Sequence, residues 1–342
     1  MMQLATVLTP ESDKNLRLAA QCGVTDMVTR YPGSDLSKLA ARQQRFAEFG
    51  LRLSVVEGYL PIENIKTGTD DGTELAALKS LIRTMGQLQI PILCYNFMAG
   101  TDWVRTRLDA PERGGALVTA FDLQEANRAV QPSGPRPPDP TPNSATPNSA
   151  ALNSVGHQSP DSDSSGVSIT ADQLWDNLSR LLQELIPVAE QSGVILAMHP
   201  DDPPLSAFAG RARIMNTVDG FRRLVQTVPS RCNAICFCQG TFAEMGVDIP
   251  DTIRELGPHI AYVHFRDVRG TAELFTETFH DNGQTDMVAA MRAYRDIGLD
   301  GPIRADHVPQ LHKEDSGEPG YTMLGRLFAW GYIRGLLQAA NS

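Results

Sequence analysis

His199, Cys238, His264 and Asp306 each close a short apolar run rich in β-branched residues. Neutral imidazole, thiolate and carboxylate together suit a divalent first-row cation such as Mn, Fe, Co or Zn. Mg and Ca prefer all-oxygen shells, so the thiolate argues against them as sole occupants. Singly, a strand-end histidine is a common structural residue and a strand cysteine a small buried hydrophobe. Four such residues ending four successive runs are harder to explain as packing. Cys236 and Cys238 lie two apart and therefore face the same way on a strand. Cys238, nearer the end of the run, is read as the ligand and Cys236 as core packing.

Other polar residues gather at the same positions. Glu57 ends the third apolar run and Asn96 the fourth, which makes both candidates to touch a substrate. Arg266 shares a strand face with His264, where its guanidinium can either clamp a carboxylate in bidentate fashion or sit in a surface ion pair. His307 follows Asp306 directly and can reach the same place as an acid or base. Asp201 and Asp202, in the proline-stiffened HPDDPP turn, are either substrate contacts or turn caps.

One architecture brings these ends together. The runs fall at 4–8, 24–29, 51–57, 90–96, 194–199, 233–238, 260–265 and 301–306, and between them lie amphipathic stretches such as SDLSKLAARQQRFAEFG and DMVAAMRAYRDIG. Eight such units predict a single α/β domain, a (β/α)8 TIM barrel, in which the carboxyl ends of all strands open on one face. A doubly wound sheet is the runner-up, but no GxGxxG or GxxxxGK[ST] segment supports it. Residues 132–166, with eight Pro, eight Ser and the tandem TPNSATPNSA, are too poor in apolar side chains to offset their ordering entropy. They read as a disordered insertion looping from one domain, the alternative being a linker between two. A capping box at Thr170 and Gln173 marks where helical pattern resumes.

Composition narrows the partners. Thirty Lys and Arg against forty Asp and Glu give a net charge of −10 with no basic stripe, which disfavours nucleic acid. No run approaches the ~20 apolar residues of a membrane span, and the start MMQLATVLTPESDKN lacks the order of a signal peptide, so a cytoplasmic protein is expected. Five cysteines are odd in number and too few for a disulfide framework in a chain of 342 residues.

The segments VVEGYLPIENIKTG, CYNFMAGTDWVRT, AMHPDDPP, FCQGTF, VHFRDV, HDNGQTDM, RADHVPQL and PGYTMLGRL, in that order along nearly the whole chain, resemble the mannonate dehydratase family. The resemblance implies a xylose-isomerase-like barrel and a homo-oligomer, dimer or higher. It implies metal ligands at His199, Cys238, His264 and Asp306 with Mn(II) or Fe(II), and roles for His307 and Tyr321. It also implies the dehydration of the sugar acid D-mannonate to 2-keto-3-deoxy-D-gluconate. In that chemistry the metal acts as a Lewis acid on the substrate carboxylate and 2-hydroxyl. Tyr321 is the candidate base at C2, which requires the cation to lower its phenol pKa, and His307 or His280 the acid at the departing 3-hydroxyl.

Departures from the family pattern cluster on the substrate side. Where the family reads FHEAAH this chain has FTETFH, keeping only the second histidine, as His280, and where it reads VHED the chain has PIEN, with Ile62 in the His position. Met98-Ala99-Gly100 and His307-Val308-Pro309 replace two further family segments. An intact ligand set beside an altered pocket suggests a divergent, active member. Two other readings are a metal-dependent isomerase or epimerase on the same barrel and a non-catalytic sugar-acid binder, for which a broken ligand set would be expected.

Overall fold

The computed structural model describes residues 2–130, 168–314 and 317–340, so the expected insertion at 132–166 lies outside the described residues. Eight parallel strands close a barrel: β1 (Gln3–Val7), β2 (Asp26–Arg30), β3 (Arg52–Glu57), β4 (Ile92–Tyr95), β5 (Ile195–Met198), β6 (Asn233–Cys238), β7 (Ile260–Phe265) and β8 (Pro302–Ala305). Each falls within or beside one of the apolar runs. Near-continuous burial along them is the reason: a parallel strand covered on both faces can afford few polar side chains. Ile92 pairs with Ile195 across β4 and β5, and Gln3 with Pro302 across β1 and β8, so segments on both sides of 132–166 complete one closed sheet.

Amphipathic helices surround the barrel. The longest, Ala171–Ser192, starts at the capping box of Thr170 and Gln173 and ends at Gly193, whose φ of 66° is the left-handed C-terminal turn that glycine adopts without strain. Its buried face includes Leu174, Leu178, Leu181, Leu182 and Leu185, each contributing roughly 1.5–3 kcal/mol of burial. It packs on the helix Thr73–Gln87, which buries Leu78, Leu81, Ile82 and Met85.

A second sheet does not follow from the strand count. Arg107–Pro111, Leu117–Asp122, Leu274–Glu277 and Val268–Thr271 form a four-stranded antiparallel sheet. Its first two strands follow β4 and its last two follow β7, so it belongs to loops at the carboxyl face of the barrel. The strands are short and Arg107–Pro111 is largely exposed, which leaves little apolar periodicity to read.

Candidate metal centre at the barrel mouth

Side chains two residues apart on a strand point to the same side, and here that rule stacks two layers inside the barrel. Ala197, Cys236, Tyr262 and Arg304 form the deeper layer on β5 to β8, and His199, Cys238, His264 and Asp306 stand above them. His199 and Asp306 lie one residue past their strands, yet the ladder continues through them: His199 N donates to Tyr95 O at 2.7 Å and Asp306 N to Phe265 O at 3.3 Å.

The four sequence-predicted ligands converge. One ligand atom each of His199, Cys238 and His264 lie within 4.8 Å of one another. Asp306 Oδ2 is 3.7 Å from His264 Nδ1 and 3.9 Å from Cys238 Sγ. His199 Nδ1 lies 2.7 Å from the Pro200 carbonyl, which only accepts, so Nδ1 carries the proton and Nε2 keeps a free lone pair. Burial lowers the His199 pKa, favouring that neutral form. Burial pushes the Asp306 carboxyl up, but Arg304, His307, His264 and Arg266 outweigh it and hold it well below the usual range. Two imidazoles, a thiol and a carboxylate converging in a buried site fit a borderline-soft divalent cation.

Beside the cluster runs a hydrogen-bonded chain. His307 Nδ1 is 2.6 Å from Glu277 Oε1, and its Nε2 is 3.2 Å from the Tyr321 hydroxyl. Glu277 also accepts from Arg105 Nη2 at 2.6 Å and Thr119 Oγ1 at 2.7 Å. Burial raises the Glu277 carboxyl, but His307 and Arg105 together outweigh it, so Glu277 stays charged. A charged carboxylate only accepts, hence His307 donates from Nδ1 and offers its Nε2 lone pair to the Tyr321 hydroxyl. Burial pushes the Tyr321 phenol up, and Arg30, its Cζ 5.5 Å from the ring centre, offsets only part of that, so the phenol lies above its ordinary value. Trp103 covers His307 with ring centres 4.8 Å apart.

The remaining predicted residues have other engagements. Arg266, expected as a carboxylate clamp or an ion pair, is buried and fully committed to the protein. Its Nε donates to Asp306 at 3.1 Å, Nη1 to Glu244 at 3.1 Å, and Nη2 to Asp202 and Thr241 at 2.9 Å. These ion pairs are buried rather than on the surface. Asp202 is held by Arg105 at 2.7 and 3.0 Å as well as by Arg266, and Asp201 accepts from Met215 N at 2.7 Å, so both tie the turn to residues distant in sequence. Asn96 accepts from Lys66 Nζ at 3.1 Å and donates to Asp102 at 3.2 Å. Glu57 binds Arg30 at 3.0 Å, Tyr262 at 3.0 Å and His264 at 3.2 Å, fixing the imidazole from below. His280 is buried, and among the described residues no hydrogen bond joins it to the cluster. Burial drives its pKa down to about 4.

Sequence reasoning missed Glu277, Arg105 and Arg304. Arg304 is two residues before Asp306, and the rule that paired Cys236 with Cys238 finds it. Glu277 had a weaker signal, the glutamate that FTETFH shares with FHEAAH, and Arg105 had none, because the small sheet and its adjoining loop position them.

Known proteins share this arrangement of sequence and fold. A sequence profile of the family described as D-mannonate dehydratase (UxuA) matches residues 12–342. The mannonate dehydratase of Oceanobacillus iheyensis is 32% identical over 310 residues, covering 89% of this chain and 86% of its own. That of Thermotoga maritima is 31% identical over 318 residues, covering 91% and 87%. The solved mannonate dehydratase of Streptococcus suis serotype 2 superposes with a TM-score of 0.81 at 26% identity over 99% of this chain and 93% of that one. A D-tagatose 3-epimerase-like protein, at 13% identity and a TM-score of 0.61 over 99% and 98%, shares the fold alone.

Proposed function

Because the chain belongs to the mannonate dehydratase family, a family of hydro-lyases, we propose that it removes water from D-mannonate to give 2-keto-3-deoxy-D-gluconate at the mouth of the barrel. The observation that carries the residue assignment is the convergence of His199, Cys238, His264 and Asp306 beside the Tyr321–His307–Glu277 chain. In this reading the four residues hold Mn(II) or Fe(II). When bound, the cation supplies positive charge against the substrate carboxylate and 2-hydroxyl, which acidifies the proton on C2.

The chain's own groups then move protons in a closed cycle. Tyr321 passes its hydroxyl proton to His307 Nε2, and the resulting imidazolium is held by the Glu277 carboxylate at Nδ1. The Tyr321 oxygen takes the C2 proton as the C2–H bond breaks. His307 returns its Nε2 proton to the 3-hydroxyl, which leaves as water as the C3–O bond breaks. Both side chains end in their starting states, and the enol left between C2 and C3 becomes the 2-keto acid as its 2-hydroxyl loses a proton and C3 gains one from solvent. His280 serves poorly as the acid, since with a pKa near 4 it holds almost no proton to give at neutral pH.

Among the described residues no helix is long and apolar enough to cross a membrane, and the reading extends to a cytoplasmic homo-oligomer acting on a small sugar acid. The test is to load the purified chain with Mn(II) or Fe(II), supply D-mannonate, and analyse products. A new 2-keto-3-deoxy acid supports the reading. A product of unchanged formula replaces dehydration by isomerisation or epimerisation, and full metal binding by Cys238→Ala removes the proposed ligand set.

A further inference from the structure

Below the metal centre lies a second group of soft donors that the dehydration does not use. Ligand atoms of Cys94 on β4, Cys236 on β6 and His264 on β7 lie within 4.8 Å of one another, and all three residues are buried. The strand between β4 and β6 is β5, whose inward residue at this level is Ala197. Its single methyl leaves the two thiols free to meet across it. Cys236, read from sequence as core packing, is therefore half of a thiol pair facing an imidazole.

We propose that Cys94, Cys236 and His264 form a site for a thiophilic divalent cation of the Zn²⁺ class, and that its occupation competes with the catalytic cation for His264. The donor set is the two-sulfur, one-nitrogen combination that zinc takes with a fourth position open. Tetrahedral zinc holds such atoms ~3.7 Å apart, from metal–ligand distances of about 2.0–2.3 Å, so the group contracts by at most about an ångström between any two donors. Each ion displaces two thiol protons to solvent. Competition follows from the ring: His264 belongs to both groups, its Nδ1 3.7 Å from Asp306 of the upper one, and Arg304 Nη2 stands 3.1 Å from each ring nitrogen, so either cation must displace that contact. A neutral imidazole has one lone pair, so it serves one cluster at a time.

The experiment uses the full chain made metal-free, with Cys238 replaced by Ser so that the upper thiolate is gone. One equivalent of Zn²⁺ is added and its X-ray absorption fine structure recorded. The expected shell holds two sulfurs and at least one imidazole nitrogen, and a shell without sulfur overturns the proposal. Cys94→Ser in the same background should remove at least one sulfur. An unchanged count would place the zinc on thiols other than Cys94 and overturn the proposal equally. In the otherwise wild-type chain, prior loading with Mn²⁺ should weaken Zn²⁺ uptake at this site at least tenfold, and no effect would overturn the competition. The sulfur count does not depend on which sugar acid the upper site dehydrates, so the two readings fail separately.

Discussion

His307 at the end of β8 and Glu277 of the small sheet meet at 2.6 Å, through His307 Nδ1 and Glu277 Oε1. The contact ties a barrel residue to a loop sheet contributed from after β7, and it fixes which ring nitrogen faces Tyr321. Glu277→Gln keeps the shape but removes the charge that stabilises the imidazolium. The expected result is a kcat lower by on the order of 100-fold, with KM and metal content little changed. A matching rise in KM, or loss of the metal by elemental analysis, would move Glu277 from proton transfer to scaffolding.

Tyr321 supplies the oxygen that takes the C2 proton in the proposed cycle. Tyr321→Phe leaves the ring to pack beneath Arg30 and deletes only the hydroxyl. Turnover should fall by at least ~100-fold, and exchange of the C2 proton with deuterium from solvent should fall with it. Exchange that persists at the wild-type rate would sink Tyr321 as the base and leave His307 to act there.

The barrel and the convergence of four polar residues at its mouth were legible in the sequence for one physical reason. Parallel strands buried on both faces must be apolar, so a polar side chain at a strand end is conspicuous. His199, Cys238, His264 and Asp306 stood out on that ground, and register alone gave them one mouth. Polar residues paired to one another left no such mark. Arg266 looked free to bind substrate because sequence cannot show Asp202, Glu244 and Asp306 closing around it. Glu277 was hidden for the converse reason. It sits in FTETFH, a segment notable for a missing histidine, and its partner Arg105 is 172 residues away.

Burial of His280 has a stability signature with a definite sign. Its pKa falls from an ordinary 6.5 to about 4 in the folded chain, so between those values the unfolded chain binds more protons. Its contribution is therefore complete above pH 6.5 and lost as pH falls towards 4, amounting to roughly 3 kcal/mol. His280→Leu should flatten the stability profile across that window, measured by urea unfolding at a series of pH values. A slope identical to wild type would place the ring in contact with solvent.

Arg266 permits the sharpest separation of a binding role from a structural one. Its guanidinium lies among Asp202, Glu244, Glu277 and Asp306 and is held within 3.1 Å of three of them. Arg266→Met keeps much of the side-chain volume but leaves Asp202 and Asp306 with one fewer cation in a buried site. Breaking a buried pair in this way costs about 3–5 kcal/mol, because the remaining charge is left uncompensated. The variant should therefore unfold at markedly lower urea. Metal affinity should fall as well, since Asp306 loses the donor at 3.1 Å that orients its Oδ2. Were Arg266 instead a substrate clamp, stability and metal content would hold while KM rose, and that outcome would return the residue to the role its sequence position first suggested.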